Sequence, residues 1–184
     1  NTTTTTTPSA ADAFRSAEAQ RWAAWATSEL AVAMYPNITR TFAECQSALA
    51  YADAAFPPLQ ALAIRWVGAF GMSMAHGAVK RKYGITDERA ALRERLRVWD
   101  DALPSSAPSA ETSSSDAPAS AGPFRDGRAE PDLGDVTVFG VLGAVADTAA
   151  HAEMMAEFPK IAAWHAAVDA ALPPLTLLPR PTTT

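Results

Sequence analysis

The sequence predicts an all-α domain. Alanine is used heavily, valine and isoleucine much less, a balance that favours helix over strand. Apolar residues recur at three- and four-residue intervals, most clearly at Leu92, Leu96, Trp99 and Leu103. No stretch reads as a strand and there is no internal repeat. The 184 residues are about one domain's worth.

In order, residues 1–8 are a threonine run closed by Pro8, read as a flexible tail, and 9–172 form the helical domain. Residues 9–34 predict a first helix, with Phe14, Trp22, Trp25, Leu30 and Val32 supplying bulk among alanines. Trp22 and Trp25 share a face, suited to a core or an interface more than to a ligand platform. Tyr35-Pro36-Asn37 ends that helix. A second runs from Arg40 or Thr41 to about Ala55, where Phe56-Pro57-Pro58 breaks it.

Residues 59–83 are the most apolar segment. Leu62, Trp66 and Phe70 form one stripe; Gly68, Gly71, Ala75 and Ala78 form a small-residue stripe that would admit a close helix neighbour. Lys80-Arg81-Lys82 suits the negative end of the helix dipole. Residues 59–79 are long enough to span a bilayer, yet Arg65 interrupts them and Gln60 and His76 add polarity. The expectation is a buried central helix of a bundle.

Thr86 is expected to cap the next helix, with Asp87 and Glu88 in its first turn. Its far face, Arg89, Arg93, Glu94, Arg95 and Arg97, reads as solvated. Residues 104–121, rich in proline, serine and alanine, cannot bury enough apolar surface to offset ordering, and read as a disordered insertion.

After it, Pro131-Asp132-Leu133-Gly134-Asp135 predicts the start of a buried helix. Asp132 is a good N-cap, and Asp135, three residues on, can return a bond to the cap N–H. Both are assigned as structural helix caps. The alternative, a catalytic carboxylate pair, is weaker because the pair sits where a helix must start. Val136, Phe139, Gly140 and Gly143 are expected to form the packed face of a helix reaching about Ala149. A short helix over 151–157 follows. Phe158-Pro159 then opens a last helix with Ile161, Trp164, His165, Val168 and Leu172 facing the core. Residues 173–184 form a Pro-rich tail, whose Leu175, Leu177 and Leu178 are free to dock on the bundle or on another protein.

The formal net charge of −5 argues against a nucleic-acid-binding surface. Cys45 is the single cysteine, so the chain can build no internal disulfide, Cys-x-x-Cys pair or cysteine-based zinc site. It reads as a structural thiol. His76, His151 and His165 are too scattered to form a motif. No catalytic residue and no metal ligand is assigned. Asn1-Thr2-Thr3 and Asn37-Ile38-Thr39 match the glycosylation sequon, too short a match to mean secretion. No cleavable signal is visible. A start at Asn1 without methionine is expected of a processed chain or a fragment.

Residues 122–172 resemble the second half of a glutathione-transferase C-terminal domain. The features are Pro131 before Asp132-x-x-Asp135, the Val-x-x-Phe-Gly pattern after it, and a last helix opened by Pro159 with Trp164 inside. Gly134 departs from the alanine common in that family. Within it, Pro123-Phe124, Gly127, Pro131 to Asp135 and Phe139 to Leu142 are similar to the membrane-associated prostaglandin E synthase type 2 family. So are Trp25, Tyr35 to Thr41, Arg65 to Ala69, and Met72 with Lys80-Arg81-Lys82. The resemblance covers about residues 21–172, interrupted by 104–121.

It implies a transferase-like helical bundle that normally follows a thioredoxin-like domain carrying a Cys-x-x-Cys motif and most of a glutathione site. It also implies isomerisation of prostaglandin H2 to E2, with glutathione and haem as cofactors, and an organellar (mitochondrial) or membrane-associated cytoplasmic setting. The catalytic cysteines have no counterpart here, so no cofactor is assigned to this chain. Three functions stay open. The chain is the helical half of a glutathione-dependent isomerase, or a non-catalytic interaction subunit forming a homodimer or larger assembly, or, as an outsider, a single-span membrane protein. The second is preferred.

Overall fold

Side-chain caps set most of the helix starts. In the computed structural model, which describes residues 9–104, 122–146 and 148–173, α1 (Ala10–Phe14) is capped by Ser9 and α2 (Ala17–Trp25) by Ser16. The helix continues from α2 through a π-helical turn at Ala26–Leu30 into α3 (Ala31–Met34) and closes in a 3-10 turn at Tyr35–Ile38. The single helix expected over 9–34 is therefore broken once, at Arg15-Ser16. There the Ser16 hydroxyl accepts from the Ala19 N–H at 3.1 Å and restarts the chain.

Thr41 and Glu44 form a reciprocal capping box for α4 (Phe42–Ala48). The helix expected to reach Ala55 ends at Leu49, and α5 (Ala52–Ala55) is a separate short turn. Pro57-Pro58 starts a rod built of α6 (Pro58–Ala63), a π-helical turn at Ile64–Gly68 and α7 (Ala69–Tyr83). Gly84, in the left-handed region at φ 65°, stops it, and the Ile85 N–H reaches back to the Lys80 carbonyl at 2.9 Å.

Next comes α8 (Glu88–Ala102), capped by Asp87 and not by Thr86: the Asp87 carboxylate accepts from the Ala90 N–H at 2.9 Å. The remaining helices are α9 (Leu133–Gly143), α10 (Ala149–Glu157) and α11 (Pro159–Ala171). The described residues are all-α, with one isolated bridge between Phe124 and Arg128. The readings of 1–8, of most of 104–121 and of 174–184 lie outside the described residues.

The core joins Leu30 and Met34, the α8 face of Leu92, Leu96 and Trp99, Val138 and Leu142 of α9, Met154 of α10, and Ile161, Trp164 and Val168 of α11. Four tryptophans link these layers. The Trp99 ring lies 5.2 Å from Trp22, 6.3 Å from Trp25 and 5.1 Å from Trp164, mostly edge to face.

Three expectations are corrected. The rod over 58–83 is not a buried central helix: Leu62, Trp66 and Phe70 are exposed, while Ala61 and Ala69 on the opposite side are buried. In its small-residue stripe, Gly68 meets Leu49, but Gly71 faces open space. The packed face of α9 is Gly134, Asp135, Val138 and Leu142, one step round from the expected Val136, Phe139, Gly140 and Gly143. That helix also ends at Gly143, short of Ala149, because Thr148 caps a new one.

Gly134 marks the closest approach of α2 to α9. A Cβ there would lie 2.8 Å from the Trp22 Cβ and 3.4 Å from the Ala19 carbonyl oxygen, whereas one at Gly140 would meet nothing within 4 Å. Two alanine substitutions on one helix should therefore differ in sign. Gly134→Ala is expected to lower unfolding free energy by about 1–3 kcal/mol through overpacking. Gly140→Ala is expected to raise it by about 0.5–1 kcal/mol through helix propensity. Urea melts of the two variants check this.

Candidate functional site

The turn ahead of α9 feeds an arginine into the bundle. Asp126 and Gly127 both take positive φ, 57° and 71°, and close a narrow loop in which the Gly127 N–H donates to the Phe124 carbonyl at 3.0 Å. The reversal turns Arg125 inward, where it is 2% exposed. Its Nη2 donates to Asp132 at 2.7 Å and its Nη1 to Glu18 at 3.2 Å and to Asp126. Arg128 adds a second guanidinium to Asp132. The Arg125 guanidinium also lies 5.9 Å from the Trp22 ring.

Asp132 and Asp135 are both fully buried. Each carboxylate accepts the other's backbone N–H at 3.0 Å, a reciprocal capping box. Asp135 Oδ1 also accepts from the Trp164 indole at 2.8 Å and from the Arg125 backbone N–H at 3.3 Å. All four carboxylate oxygens thus have donors. The geometry fastens α9 to α11 and to the 125–128 turn, and leaves neither acid a free oxygen for proton transfer.

The two acids sit in opposite fields. Burial pushes Asp132 up, but the Asp135 N–H and the guanidiniums of Arg125 and Arg128 outweigh it and hold the carboxyl below its ordinary value. Burial, joined by the negative charge of Asp132, pushes Asp135 up.

The other candidate residues are dispersed. Cys45 is buried on α4, and burial pushes its thiol up, away from the reactive thiolate. Asn37 is 1% exposed and its amide donates to the carbonyls of Ala33 at 2.9 Å and Glu88 at 2.7 Å, which closes that sequon in the folded chain. Asn1 lies outside the described residues. His76 shares a hydrogen bond of 2.9 Å with Thr39. The His165 ring packs 4.4 Å from Phe139 and 5.7 Å from His151. Arg89, Arg93 and Arg95 of α8 pair with Glu153, Glu157 and Glu29. Among the described residues no three His, Cys, Asp or Glu side chains gather as a metal site, and no helix is long and apolar enough to cross a membrane.

One concave surface has a binding site's character. A groove of about 470 Å³ runs between α3, the 3-10 turn after it and α9, lined by Met34, Tyr35, Ile38, Thr137, Gly140 and Val141 among others. The Tyr35 hydroxyl donates to the Met72 carbonyl at 3.0 Å and that of Thr137 to the Leu133 carbonyl at 2.6 Å. The lining is almost wholly apolar, so the groove suits an apolar body.

No protein-family model matches the chain, and no curated protein matches it.

Sequence reasoning located the Asp132–Asp135 pair but missed Arg125, Arg128 and the tie to Trp164. The Asp126-Gly127 dipeptide was the available signal, since that pair marks a tight turn.

Two outcomes follow from the network and its surroundings. Asp135→Ala strands the Trp164 indole and two backbone donors in the interior and should lower stability by about 3 kcal/mol, read from urea unfolding. His165 answers to pH. Burial, helped by His151 and opposed by Asp169, holds its imidazole below the ordinary 6.5. The unfolded chain therefore takes up a proton that the folded chain resists, and stability falls as pH drops below about 6.5. His165→Phe should flatten the unfolding midpoint over that range relative to the parent chain.

Proposed function

We propose that the chain is a helical scaffold of the glutathione-transferase C-terminal type, most similar to the membrane-associated prostaglandin E synthase type 2 family, acting through protein contact and not by catalysis on its own. The observation that carries the contact role is the rod over 58–83. It holds one apolar face out of the core along its length, and monomeric proteins rarely expose so large a contiguous patch. The transferase-like part rests on the helix that starts at Asp132-x-x-Asp135 and on the last helix, opened by Pro159, whose Trp164 bonds to that start.

The apolar groove beside α9 favours a second reading. In a longer enzyme built with a thioredoxin-like half, this domain would wall a hydrophobic substrate site, with glutathione held by the other half.

Turnover tests the first reading, that the chain does not catalyse on its own. The isolated chain, given glutathione and a peroxide or endoperoxide substrate, should convert no more than a boiled control. Conversion well above that control would overturn the non-catalytic reading.

A further inference from the structure

The groove beside α9 does not end at Val145. Ala144 and Val145 also line a second hollow of about 250 Å³, set between the end of α9 and the residues at the end of α4 and just after it. Two hollows with shared lining form one trough. Its floor is α9, where Thr137, Gly140, Val141 and Ala144 follow at intervals of three, one and three, on one side of the helix. Gly143 carries the floor into the second hollow. A Cβ at Gly140 or Gly143 would meet nothing within 4 Å, whereas Gly134 is crowded by Trp22. Glycine weakens a helix, and no neighbour within the chain requires it at these two positions. Their effect is to keep the trough deep.

The two compartments differ in chemistry. The first is almost wholly apolar, and its two hydroxyls are engaged by the chain: Tyr35 donates to the Met72 carbonyl and Thr137 to that of Leu133. At about 470 Å³ it falls within the roughly 300–1,000 Å³ of small-molecule pockets. The second is more polar. Thr148 borders it but donates to the Val145 carbonyl at 2.7 Å, while Ser47 and Tyr51 are exposed at its rim and offer their hydroxyls. No lining residue of either compartment is charged. A carboxylate or phosphate seated there would lose water without gaining a cation.

We propose that the trough binds an uncharged single-chain lipid of the monoacylglycerol type, its tail along α9 over Gly140 and its head between Gly143, Ser47 and Tyr51. The head's ester and hydroxyl groups can exchange hydrogen bonds with Ser47 and Tyr51, and the tail covers the apolar floor. A free fatty acid fits the floor equally well but brings a charge that nothing in the lining answers. The site shares its groove with the second functional reading but rests on neither reading, since binding needs no thioredoxin-like half and no turnover.

Isothermal titration of the full chain with 1-monooctanoyl-, 1-monodecanoyl- and 1-monododecanoylglycerol tests it, each ligand kept below the concentration at which it self-assembles. One site is expected, tightening roughly fourfold with each added CH₂ that the trough encloses. Ionised dodecanoate should bind roughly tenfold or more weakly than the dodecanoyl ester. Gly140→Leu fills the floor and should abolish binding. Its circular dichroism should stay helical, because the added side chain enters open space. Ser47→Ala combined with Tyr51→Phe should weaken all three esters by about fivefold and leave the gain per CH₂ unchanged. Absence of saturable binding by every ester would overturn the proposal, as would dodecanoate binding as tightly as its ester. So would a helical Gly140→Leu chain that binds like the parent, or a double variant with unaltered affinity. Turnover with glutathione would sink the non-catalytic reading and leave these affinities unchanged.

Discussion

The fold depends on a buried arginine. Arg125 enters the bundle through a turn with two residues at positive φ and binds Asp132, whose partner Asp135 holds the Trp164 indole. Taking a guanidinium and two carboxylates out of water is costly, and a well-packed apolar set of similar volume would often be as stable. What the charged set adds is direction. Its bonds have fixed lengths and donors, so α2, α9, α11 and the 125–128 turn meet in one register, where a purely apolar contact would tolerate sliding. The close approach at Gly134 is the steric counterpart of the same constraint.

Local signals were legible in the sequence; remote ones were not. Capping residues act within four positions, so Ser9, Thr41 and Asp132 announce their helices. The Thr86-Asp87 start is off by one because both residues can cap, and only the backbone decides: Asp87 is the extended residue whose carboxylate reaches Ala90. The α8 face was readable because its apolar residues are few and its polar face is densely charged. That of α9 was not. Valine, leucine, phenylalanine and glycine surround that helix, and no phase stands out.

The rod over 58–83 shows a different limit. Its composition demands that something cover it, and the sequence reading supplied the rest of the chain as the cover. An apolar stripe has the same pattern whether it meets its own core or another surface. Only the placement of α4, which packs against the small-residue side through Gly68 and Leu49, reveals which face is left over. The candidate site divides along the same line. The carboxylate spacing is local and was visible, while the arginines and the tryptophan that define its role come from a distant turn and helix.

The Glu18–Arg125 pair joins positions 107 residues apart, and Trp164 lies 29 residues beyond the carboxylate it serves. Contacts of such separation form late, since the loops that bring them together must be closed before the contacts reward it. During synthesis the first helical segment leaves the ribosome long before the acids and the indole that lock it. Until the last helix is released, the α2–α9 junction lacks the indole donor to Asp135, and its tryptophans lack Trp164. Release of α11 is thus the step that completes the α2–α9 junction, and the lock on the first helical segment waits on residues far along the chain.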